Sequence, residues 1–191
     1  MEEQIQQQKV RLRASLRELT RSLPDDYIKH SDQGIQKNLL ALEQWKRASV
    51  VFLYVSMGRE PETRGMIRAA LLAGKTVAVP KSLENGAMEA RIITSLHELA
   101  TGRYGISEPG AESPLVLPEK LDLIVAPCTA ADRQGYRLGH GGGYYDRYLA
   151  RVQCQTVCLC RGRLLQNDLP HDKRDRPVDE IITENECIVR V

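Results

Sequence analysis

No apolar run in the 191-residue chain approaches the roughly 18 residues that a membrane span needs. The opening stretch MEEQIQQQKVRLR has no apolar centre of the kind a secretory signal carries. A soluble, cytoplasmic protein without a membrane partner is expected. Paired cysteines are missing as well. There are five, an odd number, and Cys128, Cys154, Cys158, Cys160 and Cys187 form no CxxC pair, which excludes a disulfide scaffold. Cys154, Cys158 and Cys160 lie close enough to suggest a metal cluster. Yet Cys158 and Cys160 alternate along the apolar segment 156–160, as residues on one face of a buried strand do, and reduced core thiols are expected. A surplus of charge is also lacking: 27 Lys and Arg face 25 Asp and Glu, a net charge of +2. A surface that tracks nucleic-acid phosphates is therefore not the default expectation. No repeat, low-complexity tract or linker divides the chain, so one domain over residues 1–191 is the simplest account.

What is present begins with an amphipathic helix over 5–23. Ile5, Leu12, Leu16, Leu19 and Leu23 form its apolar stripe, and Lys9, Arg11, Arg13, Arg17 and Arg21 a basic face. A second helix is predicted after Ser31 as N-cap, running to about Trp45. Then the pattern changes. Segments 49–55 (SVVFLYV), 76–80 (TVAVP), 88–93, 121–127 (LDLIVAP) and 156–160 read as strands, with 188–191 a possible sixth. Between them, 61–73 reads as a helix closed by Gly74, and 142–151 as another. The stretch 102–118, with three glycines and three prolines, reads as a long ordered loop. Short apolar strands alternating with helices imply an α/β fold, a three-layer domain with a mainly parallel sheet flanked by helices.

The glycines are unevenly placed. Of 14, five lie in the nine residues 135–143 (Gly135, Gly139, Gly141, Gly142, Gly143), where an even spread would put fewer than one. Tyr136, Tyr144, Tyr145 and Tyr148 lie in or just beyond this window. The segment GYRLGHGGGYYDRYL follows a predicted strand and leads into a helix, the place where open parallel sheets bind ligands. Glycine allows positive φ and close backbone approach, and successive N–H groups there suit anionic oxygens, phosphate above all. Arg137 and His140 can add positive charge, and Asp146, in the first helical turn, can hold a Mg²⁺ that phosphates also ligate. The pattern is not a P-loop, since no Lys-Ser/Thr follows, nor a GxGxxG in the first βα turn. As bare glycines it is equally a tight structural turn. The flanking Arg137 and Tyr-Tyr-Asp favour phosphate.

The same fifteen residues resemble the signature of the 5-formyltetrahydrofolate cyclo-ligase family, approximately G-x-R-L-G-x-G-x-G-Y-Y-D, without a gap over twelve positions. Three further blocks occur in the family's order: Lys9 and Arg13 on the first helix, Ser56-Met57 with Glu60 and Glu62-Thr63 after the first strand, and RPVDEII near the end. The resemblance covers almost the whole chain. It implies ATP- and Mg²⁺-dependent conversion of 5-formyltetrahydrofolate to 5,10-methenyltetrahydrofolate, with ADP and phosphate released, on a sheet like that of sugar-phosphate isomerases and CoA transferases. A formamide oxygen leaves poorly. Transfer of the γ-phosphoryl group to it would give an iminium phosphate that N10 attacks, so positioning and charge neutralisation are the main demands on the protein.

By the same resemblance, ATP is bound by Lys9, Arg13, Arg137, Leu138, Gly139, His140, Gly141, Gly142, Gly143, Tyr144 and Tyr145. Tyr145 and Arg137 are the groups implied nearest the reacting atoms. Asp146 and Asp175 are implied as the Mg²⁺-linked carboxylates. Val55 and Met57 would offer apolar contact to the pterin, Glu60 a carboxylate for its N–H donors, and Tyr104 an aromatic face. Without the resemblance, Lys9 and Arg13 belong to a solvated basic face, Asp175 to a charged surface run, Glu60 to an exposed loop and Tyr104 to a loop anchor. The chain departs from the family at CTAAD (128–132), where an aromatic residue is usual. A monomer is expected. Two other readings stay open: a phosphosugar isomerase-like enzyme on this sheet, and a non-catalytic folate- or nucleotide-binding protein.

Overall fold

The computed structural model describes residues 2–102 and 105–190. Five strands run parallel at its centre: β1 (Val50–Leu53), β2 (Thr76–Ser82), β7 (Leu123–Ala126), β10 (Gln155–Leu159) and β12 (Glu180–Ile182). Antiparallel strands close both edges, β3 (Met88–Ile93) and β6 (Leu115–Val116) beyond β2, and β13 (Cys187–Val189) beyond β12. The sheet order is β13-β12-β10-β7-β1-β2-β3-β6. Alternation along β1 assigns its two faces. Val51 and Leu53 point to one side with Ile35, Leu39, Trp45, Met66 and Ile67, while Phe52 points to the other with Leu16, Ile124, Tyr148 and Cys158. The first side is covered by α2 (Asp25–Ala41), α3 (Glu43–Arg47) and α4 (Arg64–Leu72). The second carries α1 (Glu2–Ser22), α5 (Tyr144–Leu149) and a small sheet of β8 (Ala130–Asp132), β9 (Arg137–Leu138) and β11 (Leu165–Gln166). These are the expected three layers. Each large side chain closed off in them contributes ~1.5–3 kcal/mol.

Several expectations are corrected. The second helix starts at Asp25, behind Pro24, and stops at Ala41 before the separate turn of α3. Proline at the entry fixes a φ of −61°, and Asp25 and Asp26 complement the first-turn dipole. Ser31 is therefore inside the helix, fully buried, with its hydroxyl donating to Glu184. Within the stretch read as loop lie β6 and β5 (Ser107–Glu108), which pairs with β4 (Ala100–Thr101). The helix predicted over 142–151 is reduced to the six residues of α5. Cys158 and Cys160 are buried at β10 as expected, and all five cysteines are free.

Candidate functional site

The chain leaves β1 for β2 on one side and later returns to β7 on the other, so the carboxyl ends of β1 and β7 diverge. Such a switch in strand order opens a crevice. Here Tyr54 and Val55 after β1, Pro127 and Cys128 after β7, Pro80 in β2 and Cys160 after β10 all face one cavity of about 1430 Å³. Every site residue expected from the sequence lines it except Tyr104, which lies outside the described residues.

One wall is the glycine segment. β8 and β9 form a hairpin whose turn is tied by buried Asp132, which accepts from the backbone N–H groups of Gln134, Tyr136 and Leu169. That carboxylate is thus a fold element, and burial holds its pKa up. After Leu138 the backbone turns at Gly141 (φ 106°) and Gly143 (φ 66°), conformations that L side chains rarely adopt. Gly143 caps α5 with no side-chain hydrogen bond. With only six residues behind it, the helix dipole is a small source of anion attraction, and side-chain cations carry the charge. Arg147 clamps the segment, donating to the carbonyls of Gly86 and Gly142. Arg137 is buried and donates to Asp146 at 2.9 Å, its guanidinium 5.5 Å from the centre of the Tyr145 ring. Arg137 Nε and the Tyr145 hydroxyl are buried with no hydrogen-bond partner among the described residues. Burial pushes the Tyr145 phenol well above its usual range.

α1 forms the adjoining rim. Lys9 is buried, not solvated, and pairs with Asp175 at 2.5 Å and Asp172 at 3.6 Å. Gln6 also donates to Asp172. One turn on, Arg13 Nε donates to the Gly139 carbonyl at 2.8 Å. Arg13 feels the charges of both Asp175 and Asp146, although burial, the largest effect, and the neighbouring Arg17 lower its pKa. The two cations that the four-residue spacing put on one helical face thus meet the glycine segment and the carboxylates in one place.

The opposite wall is the loop after β1. Tyr54 donates to Pro61 O and Thr63 Oγ1 to Tyr54 O, both buried, and Thr63 Oγ1 accepts from Ser56 N. The Glu60 carboxylate accepts from Met57 N at 2.8 Å and meets His140 Nε2 at 3.0 Å. His140 therefore spans the two walls. Val55 is buried, and the exposed Met57 also lines the cavity.

The profile of the 5-formyltetrahydrofolate cyclo-ligase family matches residues 5–184. The chain belongs to this family. A probable 5-formyltetrahydrofolate cyclo-ligase of Schizosaccharomyces pombe is 32% identical over 94% of this chain and 97% of its own. The Escherichia coli K12 5-formyltetrahydrofolate cyclo-ligase is 29% identical over 88% and 96%. The solution structure of 5,10-methenyltetrahydrofolate synthetase from Aquifex aeolicus superimposes with a TM-score of 0.84 at 31% identity, covering 95% of this chain and 92% of that one. These likenesses bear out the fold class, the family resemblance and the reading as an enzyme of folate one-carbon metabolism, and they set aside the isomerase-like alternative.

The residues present fit a magnesium ion in one respect. Asp146 and Asp175 are hard oxygen donors at the rim, and Mg²⁺ is commonly held by one or two carboxylates together with substrate phosphates. Among the described residues no group of three or more His, Cys, Asp or Glu could hold a metal by itself. Three contributors escaped the sequence. Asp172 was hidden in the charged run HDKRDR, and Arg147 in the helix following the glycines. Arg161 carried one available signal, as the first charge after an apolar strand.

Proposed function

We propose that the chain closes 5-formyltetrahydrofolate to 5,10-methenyltetrahydrofolate using ATP and Mg²⁺, with release of ADP and phosphate. The observation that carries this reading is that one cavity, about 1430 Å³, brings a cation-lined glycine segment opposite a loop that presents the Glu60 carboxylate. A site for one small ligand occupies ~300–1,000 Å³, so the cavity has room for two substrates.

In this reading the formyl oxygen attacks the γ-phosphorus and ADP departs. N10 then attacks the formyl carbon, loses its proton, and phosphate leaves. Glu60 accepts from the pterin amino and ring N–H donors, and Val55 and Met57 supply its apolar contact. Lys9, Arg13 and Arg137 take the phosphates as partners in place of the carboxylates and the carbonyl that they now hold. Tyr145, kept protonated by burial, is a hydrogen-bond donor for the formyl oxygen as charge develops there. When bound, Mg²⁺ offsets charge on the phosphates, and Asp146 and Asp175 are the residues that would hold it. At the segment 128–132, where the family usually has an aromatic, Cys128 and Thr129 line the cavity wall. The reading takes the protein as a monomer, and five free thiols suit a reducing cytoplasm. Among the described residues no helix is long and apolar enough to cross a membrane.

The test is direct. With ATP, Mg²⁺ and 5-formyltetrahydrofolate the methenyl absorbance band grows. Tight substrate binding with no band at high protein concentration overturns the reading in favour of a non-catalytic binding protein.

A further inference from the structure

We infer that Arg161 is the positioning residue for the Glu60 carboxylate, and so for pterin recognition. The inference rests on the cyclo-ligase reading and goes beyond it to a residue at the end of β10 that no substrate-binding motif contains. Its side chain is fully buried. Nε donates to Arg59 O at 3.1 Å, one terminal nitrogen to Ile28 O at 3.2 Å, and the other to Glu60 O at 2.9 Å. That last nitrogen also pairs with Asp32 Oδ1 at 2.9 Å. One guanidinium therefore joins α2 to two consecutive carbonyls of the loop after β1.

Burying a cation is costly, and for stability alone a well-packed apolar side chain does as well or better. What the planar fork supplies instead is orientation. Fixing the carbonyls of Arg59 and Glu60 fixes the Cα–Cβ direction of Glu60, whose carboxylate then reaches Met57 N and His140. Two supports make the hold two-sided. Asp32 Oδ1 also accepts from Glu62 N, and Arg59 reaches back to Leu23 O and Asp25. The glycine segment receives no hydrogen bond from Arg161, so its effect reaches that wall only through the contact of Glu60 with His140.

The experiment is a double-mutant cycle with Arg161→Lys and Glu60→Gln, reading KM for 5-formyltetrahydrofolate, KM for ATP and the melting temperature. Lysine keeps the charge beside Asp32 but cannot serve three carbonyls at once. Each single variant is expected to raise the folate KM about tenfold, with the ATP KM unchanged. The double variant should match the worse single one, because an arginine that acts through the carboxylate has nothing left to position. Multiplicative effects, about a hundredfold in the double variant, or an Arg161→Lys protein that melts lower with an unaltered folate KM, would overturn the inference. If Arg161→Lys does not fold, the neutral Arg161→Gln is put through the same cycle and read the same way. Failure of the cyclo-ligase reading looks different: the wild-type protein itself then forms no methenyl product.

Discussion

The two walls of the cavity are built on opposite principles. On the glycine side the charged groups are already matched: Lys9 with Asp175, Arg137 with Asp146, and Arg13 with a backbone carbonyl. On the other side the backbone is matched and one carboxylate is presented, with Thr63, Tyr54 and Arg161 spending their hydrogen bonds on the loop. On the proposed reading, binding at the first wall is an exchange of partners, in which a polyanion takes over cations that internal carboxylates and a carbonyl had kept in place. Binding at the second is insertion into a preset frame. An exchange site tolerates large, mobile, strongly charged groups and is sensitive to ionic strength. A preset frame discriminates by the fit of a few donors and loses little freedom when filled.

The comparison can be broken from either side. The largest effect is expected at Asp146, which on the proposed reading is both the resting partner of Arg137 and a holder of Mg²⁺. Asp146→Ala should lower kcat about a thousandfold while equilibrium binding of 5-formyltetrahydrofolate stays near wild type. Wild-type turnover in that variant would remove Asp146 from the exchange. Next is Glu60→Gln, a change on the preset wall in which the amide oxygen can still accept from His140. It should raise the folate KM about tenfold and leave the ATP KM alone, and an equal rise in both would show that the walls are not separate. Lys9→Ala comes third, with a rise of about fivefold to tenfold in the ATP KM that fades at high salt and spares folate binding. If the ATP dependence does not move, Lys9 only holds α1 against the 172–175 turn.

The smallest effect is one of stability. Hydrogen bonds from Arg174, together with the charge of Lys9, hold the Asp172 carboxyl well below its usual range. A group whose folded pKa is lowered stabilises the protein above its unfolded value, about pH 4, and that contribution disappears as pH falls through the folded value. Asp172→Asn should therefore melt a few degrees lower at neutral pH, and the gap from wild type should close on acidification below about pH 4. A gap that stays constant with pH would assign the loss to packing.

How much of this could be read from the sequence follows from the range of each interaction. β1 and β7 announce themselves because both faces are covered, leaving continuous apolar runs such as VVFL and LIVA. β3 was placed at its observed limits by its alternation. β12 was not, for it has three residues and begins with the buried Glu180, so its apolar signal is only two residues long. The β8–β9 hairpin was hidden for the same reason, and Asp132 ties it through backbone N–H groups that leave no mark in the sequence. At the site, the glycine segment was legible because its positive-φ turns require one residue type. Lys9 and Asp175 were legible only through resemblance, since spacing alone describes a wet helix face and a surface loop. Arg161 was legible only as a charge at the end of an apolar strand: three of its partners, Ile28, Arg59 and Glu60, lie more than a hundred residues away and contribute backbone carbonyls, which carry no sequence signature.

The central claim is that both substrates react in the one cavity, and the ratio of ADP released to methenyl product formed tests it most directly. The account predicts one ADP per methenyl group with wild-type protein, and neither product when ATP or 5-formyltetrahydrofolate is left out. ADP release that proceeds without folate, or methenyl formation that proceeds without ADP, would contradict it.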